Sequence, residues 1–349
     1  MSRPADAQRT GAPSAKAVSV GIVGAGFIGA VHAAAWRSLG VRRLVIEDPH
    51  DACARRVAGP VGAETTTDLH ALVRSVDIVD VCTPTHLHRA GVEAAAAAGR
   101  PVICEKPIAR TLEDAEAMVA ACERAGVPLF VAHVVRYFNE YAAAKAAVDA
   151  GRIGRPAVLR LRRESFRPLR TRGHWLLDEA KSGGLILDLM IHDLDYARYV
   201  AGEVETVMAR QARDSSGANV DYAIAILRHA AGTLTHVTGA WSYPPPIFRT
   251  GFELAGDGGL IEFESVDQRP VTRYVLHDDE GAGRVVGLPT SPVDEDPYAV
   301  ELADFLAAIT SGRPARVEAA DGVAALRIAL AAIESSRVGR PVAVPEFGG

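Results

Sequence analysis

The chain is short of cysteine: four thiols, Cys53, Cys82, Cys104 and Cys122, stand among 349 residues. None forms a CxxC, and the set offers no metal-ligand spacing, so reduced thiols in a cytoplasmic protein are the expectation. Neither sign of charge is in large excess. Lys and Arg total 38 against 43 Asp and Glu, a net charge of −5, and the arginines are scattered among acids. No polyelectrolyte reason to hold nucleic acid results. No apolar run approaches the roughly 20 residues a membrane helix needs. The opening MSRPADAQRTGAPSAKA lacks the continuous apolar stretch of a secretory signal, and residues 1–17 are expected to be a disordered tail. What remains is 48% hydrophobic and 23% charged, in a length that suits two domains of common size.

From Val18 short β-branched runs alternate with alanine-rich helical stretches, the pattern of a parallel sheet covered on both faces. Strands are expected at 18–24, 42–48, 77–83, 101–105 and 128–134. Helices lie between them, among them LEDAEAMVAACERAG, which closes on a glycine. After a further helix over 139–151 the period shortens to two. VLRLRRES, VMARQARD, YAIAILRH, GTLTHVTGAW, GFELAG, GLIEFE and RYVLHD read as strands of a largely antiparallel sheet. Two helical patterns, YAVELADFLAAITSG and AADGVAALRIALAAIESSRVG, close the chain and suit packing back on the rest. The expected organisation is therefore α/β: a doubly wound parallel domain over 18–138, then an α+β domain over 139–349 with a large open-faced sheet.

GAGFIG, residues 24–29, follows a strand and opens a helix, the context in which GxGxxG carries meaning. Gly24 permits the tight turn, Gly26 lets backbone approach a pyrophosphate, and Gly29 allows close helix–sheet packing. Phe27 and Ile28 complete the turn, and an anion would sit on the helix N-terminus. Asp48 ends the next strand, 24 residues after Gly24, where a ribose-binding acid belongs. It would accept from a 2′-hydroxyl and repel a 2′-phosphate. Pro49 and His50 follow it rather than an arginine, so NAD is favoured over NADP.

CEKPIA places Glu105 and Lys106 at the carboxyl end of a strand, the edge where open α/β sheets bind ligands. A lysine there could polarise a carbonyl or favour the anionic form of a hydroxyl. In GGLILDLMIHDLDY, residues 183–196, Asp188 and His192 stand four apart, on one face if the run is helical. Such a pair is either a buried structural contact or half of an active site. THLH, residues 85–88, invites a metal through His86 and His88. No carboxylate or cysteine cluster completes that site, and none is expected.

Together GAGFIG, EKP at 105–107, HVVRYFNEY at 133–141 and KSGGLILDLMIHDLD at 181–195 resemble the Gfo/Idh/MocA oxidoreductases, from about Val18 to Val342. The aspartate and the histidine four residues on are most similar to the inositol 2-dehydrogenase branch. The resemblance implies an N-terminal Rossmann domain, and a second domain whose open-faced sheet joins copies into a homodimer or homotetramer. It implies hydride exchange between nicotinamide C4 and a carbinol carbon of a cyclic polyol, sugar or sugar derivative, with Lys106, Asp188 and His192 as the catalytic group. His192 is then the acid/base, suited by a histidine's usual pKa. Asp188 orients it or binds a neighbouring hydroxyl, and Lys106 holds the reacting oxygen. Thr83, Pro84, His88, Glu105 and Lys106 join Gly24, Gly26, Phe27, Ile28, Gly29 and Asp48 on the cofactor side. Arg136, His174 and Trp175 are expected substrate contacts with Lys106, Asp188 and His192. Asp195 is expected to support His192, and Asp193 to be structural. Two other readings stand beside this one: a non-catalytic dinucleotide sensor, and a reductase of a keto-sugar nucleotide or an imine.

Overall fold

A computed structural model describes residues 17–168, 172–213, 221–265 and 295–344, apart from the side chains of residues 172–174 and 213. The strand expected at RYVLHD, and all of the expected N-terminal tail except Ala17, lie outside the described residues.

The first half is built on six strands: β1 (Ser19–Val23), β2 (Arg43–Glu47), β3 (Glu64–Thr66), β4 (Ile78–Val81), β5 (Val102–Glu105) and β6 (Leu129–Ala132). They form one parallel sheet in the order β3-β2-β1-β4-β5-β6. Helices α1 (Phe27–Ser38), α2 (Asp51–Val61), α3 (Leu69–Ser75), α4 (His88–Ala97) and α5 (Leu112–Ala125) connect them. All five residues of β1 are buried, as its unbroken apolar run requires of a strand covered on both faces. The strand order reverses between β1 and β4. In open α/β sheets a crevice for ligands opens at such a point, beyond the carboxyl ends of the strands. β3 was not among the expected strands. It is a three-residue edge strand of sequence ETT, too short and too polar to show a periodic signal.

Helix α6 (Asn139–Asp149) leads to β7 (Pro156–Ser165), α7 (Glu179–Ser182), α8 (Ile191–Ala201) and strands β8 (Val204–Arg213), β9 (Asp221–His229), β10 (Leu234–Trp241), β11 (Phe248–Gly256) and β12 (Gly259–Glu264). The chain then forms α9 (Pro297–Ser311), α10 (Ala319–Val338) and β13 (Val342–Ala343). The second sheet runs β12-β11-β7-β10-β9-β8-β13, and among the described residues β7 with β10 is its one parallel pair. Helices α8 and α10 cover one face. The other face carries exposed Ile226 and Leu234 beside Tyr222, with Arg160–Glu253 and Arg162–Glu264 ion pairs.

The last two helices tie the halves together. α9 packs on α1, and α10 crosses β6 so closely that a Cβ at Gly322 would meet Val131 at 2.6 Å. Between α7 and α8 the chain departs from a plain helix. Gly183 and Gly184 take positive φ, and Ile186–Met190 form a π-helical turn before α8. The simple α-helical register expected for Asp188 and His192 is therefore replaced by a wider turn. Such turns interrupt helices frequently at functional sites.

Candidate active site

The GAGFIG loop leaves β1 and turns into α1 against the loop that follows β4. Gly24 has φ +104°, and a Cβ there would lie 2.8 Å from the Cys82 carbonyl oxygen. A Cβ on Gly29 would collide with the Gly24 carbonyl, whereas Gly26 faces open space. No side chain caps α1, and its first turn holds no acid, so its leading N–H groups remain for an anion. Asp48 braces the loop: one carboxylate oxygen accepts from Ala25 N at 3.1 Å and the other from His50 N at 2.9 Å. Bare backbone at Gly26, an uncapped helix start and an acid at the end of β2 fit a bound dinucleotide.

Thr83 and Pro84 lie half-buried beside this loop. His88, expected on the cofactor side, points into the protein. It is 1% exposed, with Nε2 2.9 Å from Thr83 O and Nδ1 3.2 Å from Ile108 O. Its part is to hold the Thr83 loop to the segment after β5. Glu105 also points inward, and its Oε2 accepts the Lys106 N–H at 3.0 Å.

Lys106 leaves the first sheet and reaches the second unit. Its Nζ donates to the Asp188 carbonyl oxygen at 3.0 Å and lies 3.5 Å from Asp188 Oδ1. Both side chains are 16% exposed, enough to meet a small molecule while remaining fixed. Asp188 thus faces Lys106; among the described residues its carboxylate makes no hydrogen bond to His192, whose Nδ1 has no partner. The π-helical turn accounts for that departure from the expected orienting contact. Burial, and then the charges of Lys106, Arg163 and His133, hold His192 well below the usual histidine pKa. The ring is only half-buried, so desolvation is incomplete, but the neighbouring cations act in the same direction. The imidazole is therefore unprotonated at neutral pH, with the Lys106 ammonium among the charges that act on it.

Arg136, expected as a substrate contact, has a different task. It is 2% exposed; its Nε and Nη2 donate to the two oxygens of Asp195 at 2.8 and 2.6 Å, and Nη1 donates to Arg316 O at 3.0 Å. Nη2 also lies 3.2 Å from Asp321. With its donors committed inside the protein, Arg136 joins the exit of β6 to α8 and α10. Asp195 accordingly pairs with Arg136, while His133 Nδ1 stands 3.8 Å away. Asp193 is gripped by Arg163 through contacts of 2.8 and 3.2 Å, both side chains buried. Burial raises the Asp193 pKa and the arginine lowers it. The two-bonded geometry supports an ionised pair.

Trp175 is half-buried, with its ring centroid 6.4 Å from that of His86, so the segment before α7 meets the turn before α4. Arg110 Nε donates to Glu179 O at 3.1 Å nearby. The side chain of His174 lies outside the described residues. Sequence reasoning passed over three groups near the site: His133, Arg163 and His32. The signal for His32 was a polar residue inside the otherwise apolar run IGAVHAAAW. Arg163 directly follows Arg162, off the alternation of Arg160 and Arg162, and that offset is the signal that it faces the other side of the strand.

An N-terminal dinucleotide-binding sheet, joined by a lysine to a second unit carrying an aspartate and a histidine, defines a two-unit NAD-binding oxidoreductase class. The chain belongs to the Gfo/Idh/MocA family. Residues 18–133 match the oxidoreductase family with an NAD-binding Rossmann fold, and residues 141–262 match the GFO/IDH/MocA C-terminal domain. The chain is 32% identical to a myo-inositol 2-dehydrogenase of Thermotoga maritima, over 95% of its own length and 99% of the relative's. It is 34% identical to a 1,5-anhydro-D-fructose reductase of Ensifer adhaerens, over 76% and 79% of the two chains. Among solved structures, a probable dehydrogenase from Thermotoga maritima superposes with a TM-score of 0.80 at 31% identity, covering 94% and 99%. A levoglucosan dehydrogenase with NADH and levoglucosan gives 0.79 at 28% identity, covering 94% and 100%. Among the described residues, no helix is long and apolar enough to cross a membrane.

Proposed function

We propose that this chain is an NAD-dependent dehydrogenase of a cyclic polyol, sugar or sugar derivative. The observation that carries the reading is the meeting of Lys106 and Asp188 across the two units, 3.0 Å from ammonium to carbonyl, beside a neutral His192. The bound dinucleotide would supply a hydride acceptor or donor at its nicotinamide ring. Gly24, Gly26, Phe27, Ile28 and Gly29 would hold it, with Asp48 at the ribose and Thr83 and Pro84 at the flank. His192 accepts the hydroxyl proton of the alcohol, or returns it in the reductive direction. Lys106 donates to the reacting oxygen and stabilises negative charge as it develops there. Asp188 holds the Lys106 ammonium in place and accepts from a second hydroxyl of the substrate. Trp175 supplies an apolar wall, which a sugar ring can stack on.

The test is NADH absorbance on mixing the protein with NAD and a panel of inositols, aldoses and anhydrosugars. Turnover of at least one polyol, abolished in His192→Ala, is expected. Tight NAD binding with no turnover across the panel would favour a dinucleotide sensor instead. The relatives named as inositol 2-dehydrogenase and 1,5-anhydro-D-fructose reductase support the substrate class.

The same proposal includes a second copy of the chain on the open face of the second sheet, and reduced thiols in a cytoplasmic setting. Ile226 and Leu234, 48% and 47% exposed on adjacent strands, support the first, and four buried free cysteines support the second. Light scattering is expected to give a multiple of the chain mass. The variant Ile226→Glu is expected to lower it, and a monomeric wild type would remove the assembly from the proposal.

A further inference from the structure

Beneath Lys106 lies a set of titratable groups that the chemistry above does not use. His32, on α1, has a fully buried ring. Its Nδ1 is 2.9 Å from Asp80 Oδ2 on β4, and its Nε2 is 3.1 Å from Glu105 Oε1 at the end of β5. The second contact is an ion pair whose N–H is not aligned as a hydrogen bond. Glu105 uses its other oxygen to accept the Lys106 N–H, and Lys106 Nζ reaches Asp188. An unbroken line therefore runs from Asp80 through His32, Glu105 and Lys106 to Asp188, from the interior of the first sheet into the second unit.

The ligand atoms of His32, Asp80 and Cys82 converge closely enough to suggest a metal. The hydrogen bonding argues otherwise. Trp36 Nε1 donates to Asp80 Oδ2 at 2.8 Å, and His32 Nδ1 meets the same oxygen, so two donors already serve it. Cys82 Sγ sits 3.5 Å from both His32 Nδ1 and Asp80 Oδ1, as a thiol beside a completed pair.

Two buried carboxylates, Asp80 and Glu105, stand on either side of one imidazole. Buried charges persist only when paired. Burial opposes a charge on His32, but the attraction of Cys82 and Asp80 and the hydrogen bonds to both hold its pKa well above the usual value. From α9, Tyr298 places its ring 6.0 Å from that of His32. Glu301, fully buried with neither oxygen bonded, is kept protonated by its burial and by the Glu105 charge. Glu105 is thus held from two sides, by the Lys106 N–H on one oxygen and by His32 on the other.

We propose that His32 is a positioning residue for Lys106: backed by Asp80 and Trp36, it fixes the Glu105 carboxylate, which holds the Lys106 backbone and aims its ammonium group. This rests on the reading of Lys106 as catalytic. A lysine side chain is long and flexible, so its aim depends on the anchoring of its root. Misplacement of a reacting group by about 1 Å can lower a rate roughly 10²-fold.

Two substitutions separate the links. His32→Asn keeps a donor near the Nδ1 position and so the Asp80 contact; His32→Gln keeps one near Nε2 and so the Glu105 contact. Expected is a fall in kcat of about 10- to 100-fold for His32→Asn with KM for NAD little changed, and recovery to within about five-fold in His32→Gln. Equal losses that follow each variant's Tm would overturn the proposal in favour of a merely structural histidine. A readout free of turnover is the acylation rate of the Lys106 amine, followed by mass spectrometry in the protein without cofactor. His32→Asn is expected to change it at least about three-fold and His32→Gln less; equal rates in both variants and wild type would overturn the proposal. If no polyol is oxidised by the wild type, the dehydrogenase reading fails, and the acylation rates alone decide whether His32 aims Lys106.

Discussion

Two groups of charges share the stretch from Ile186 to Ala201, and their environments are opposite. Asp193 and Asp195 are buried, each gripped by an arginine through two contacts. Asp188 and His192 lie a residue or a few away, half-buried, the Asp188 carboxylate 3.5 Å from Lys106 and the His192 Nδ1 without a hydrogen-bond partner among the described residues. The stretch therefore carries rivets and, in the proposed function, reagents. Pairing makes the difference: a carboxylate locked to a guanidinium has little capacity left for a substrate, while a half-exposed one retains it.

Breaking each face in turn sharpens that contrast. Lys106→Met and His192→Ala are expected to lower kcat/KM by about 10²–10⁴-fold with Tm nearly unchanged. A loss of only a few-fold in His192→Ala would remove it as the base. Asp193→Asn leaves Arg163 buried without its anion and is expected to destabilise the fold by about 3–5 kcal/mol in urea titration. Unchanged stability there would make the rivet interpretation untenable. The substitution should affect turnover only through the folded fraction.

Smaller effects follow from pH and cofactor choice. The His192 pKa lies below its ordinary value near 6.5. The proton-accepting form therefore dominates at neutral pH and is lost only as pH falls below that value. In alcohol oxidation, kcat/KM is expected to hold down to about pH 6.5 and to decline in more acidic buffer. An acidic limb centred above pH 7 would assign the base elsewhere. Asp48→Ser, measured by titration with each dinucleotide, is expected to narrow the preference for NAD over NADP about tenfold, or roughly 1.4 kcal/mol. A preference unaltered by that change would place discrimination in another residue.

The first sheet was readable because its signals are local. The expected strands at 18–24, 42–48, 77–83, 101–105 and 128–134 each contain an observed strand, and only the three-residue ETT strand escaped. The GxGxxG turn, its following acid and the EKP lysine were legible for the same reason. Arg136 was misjudged because its position at the exit of β6 was visible, but its partners Asp195, Asp321 and Arg316 come from distant parts of the chain. The π-helical turn was also hidden; its residues pack on β10 and α10, which lie far along the chain.

By itself the sequence determined the alternation of strand and helix, the glycine turn, the acid after β2 and the residue types at the crevice, because periodicity and backbone freedom are properties of neighbouring residues. Tertiary structure alone decided that Asp188 meets Lys106 rather than His192, that Arg136 and Arg163 hold Asp195 and Asp193, and that His32 stands between Asp80 and Glu105. Those outcomes depend on which charges are brought together out of water, and local sequence does not encode that.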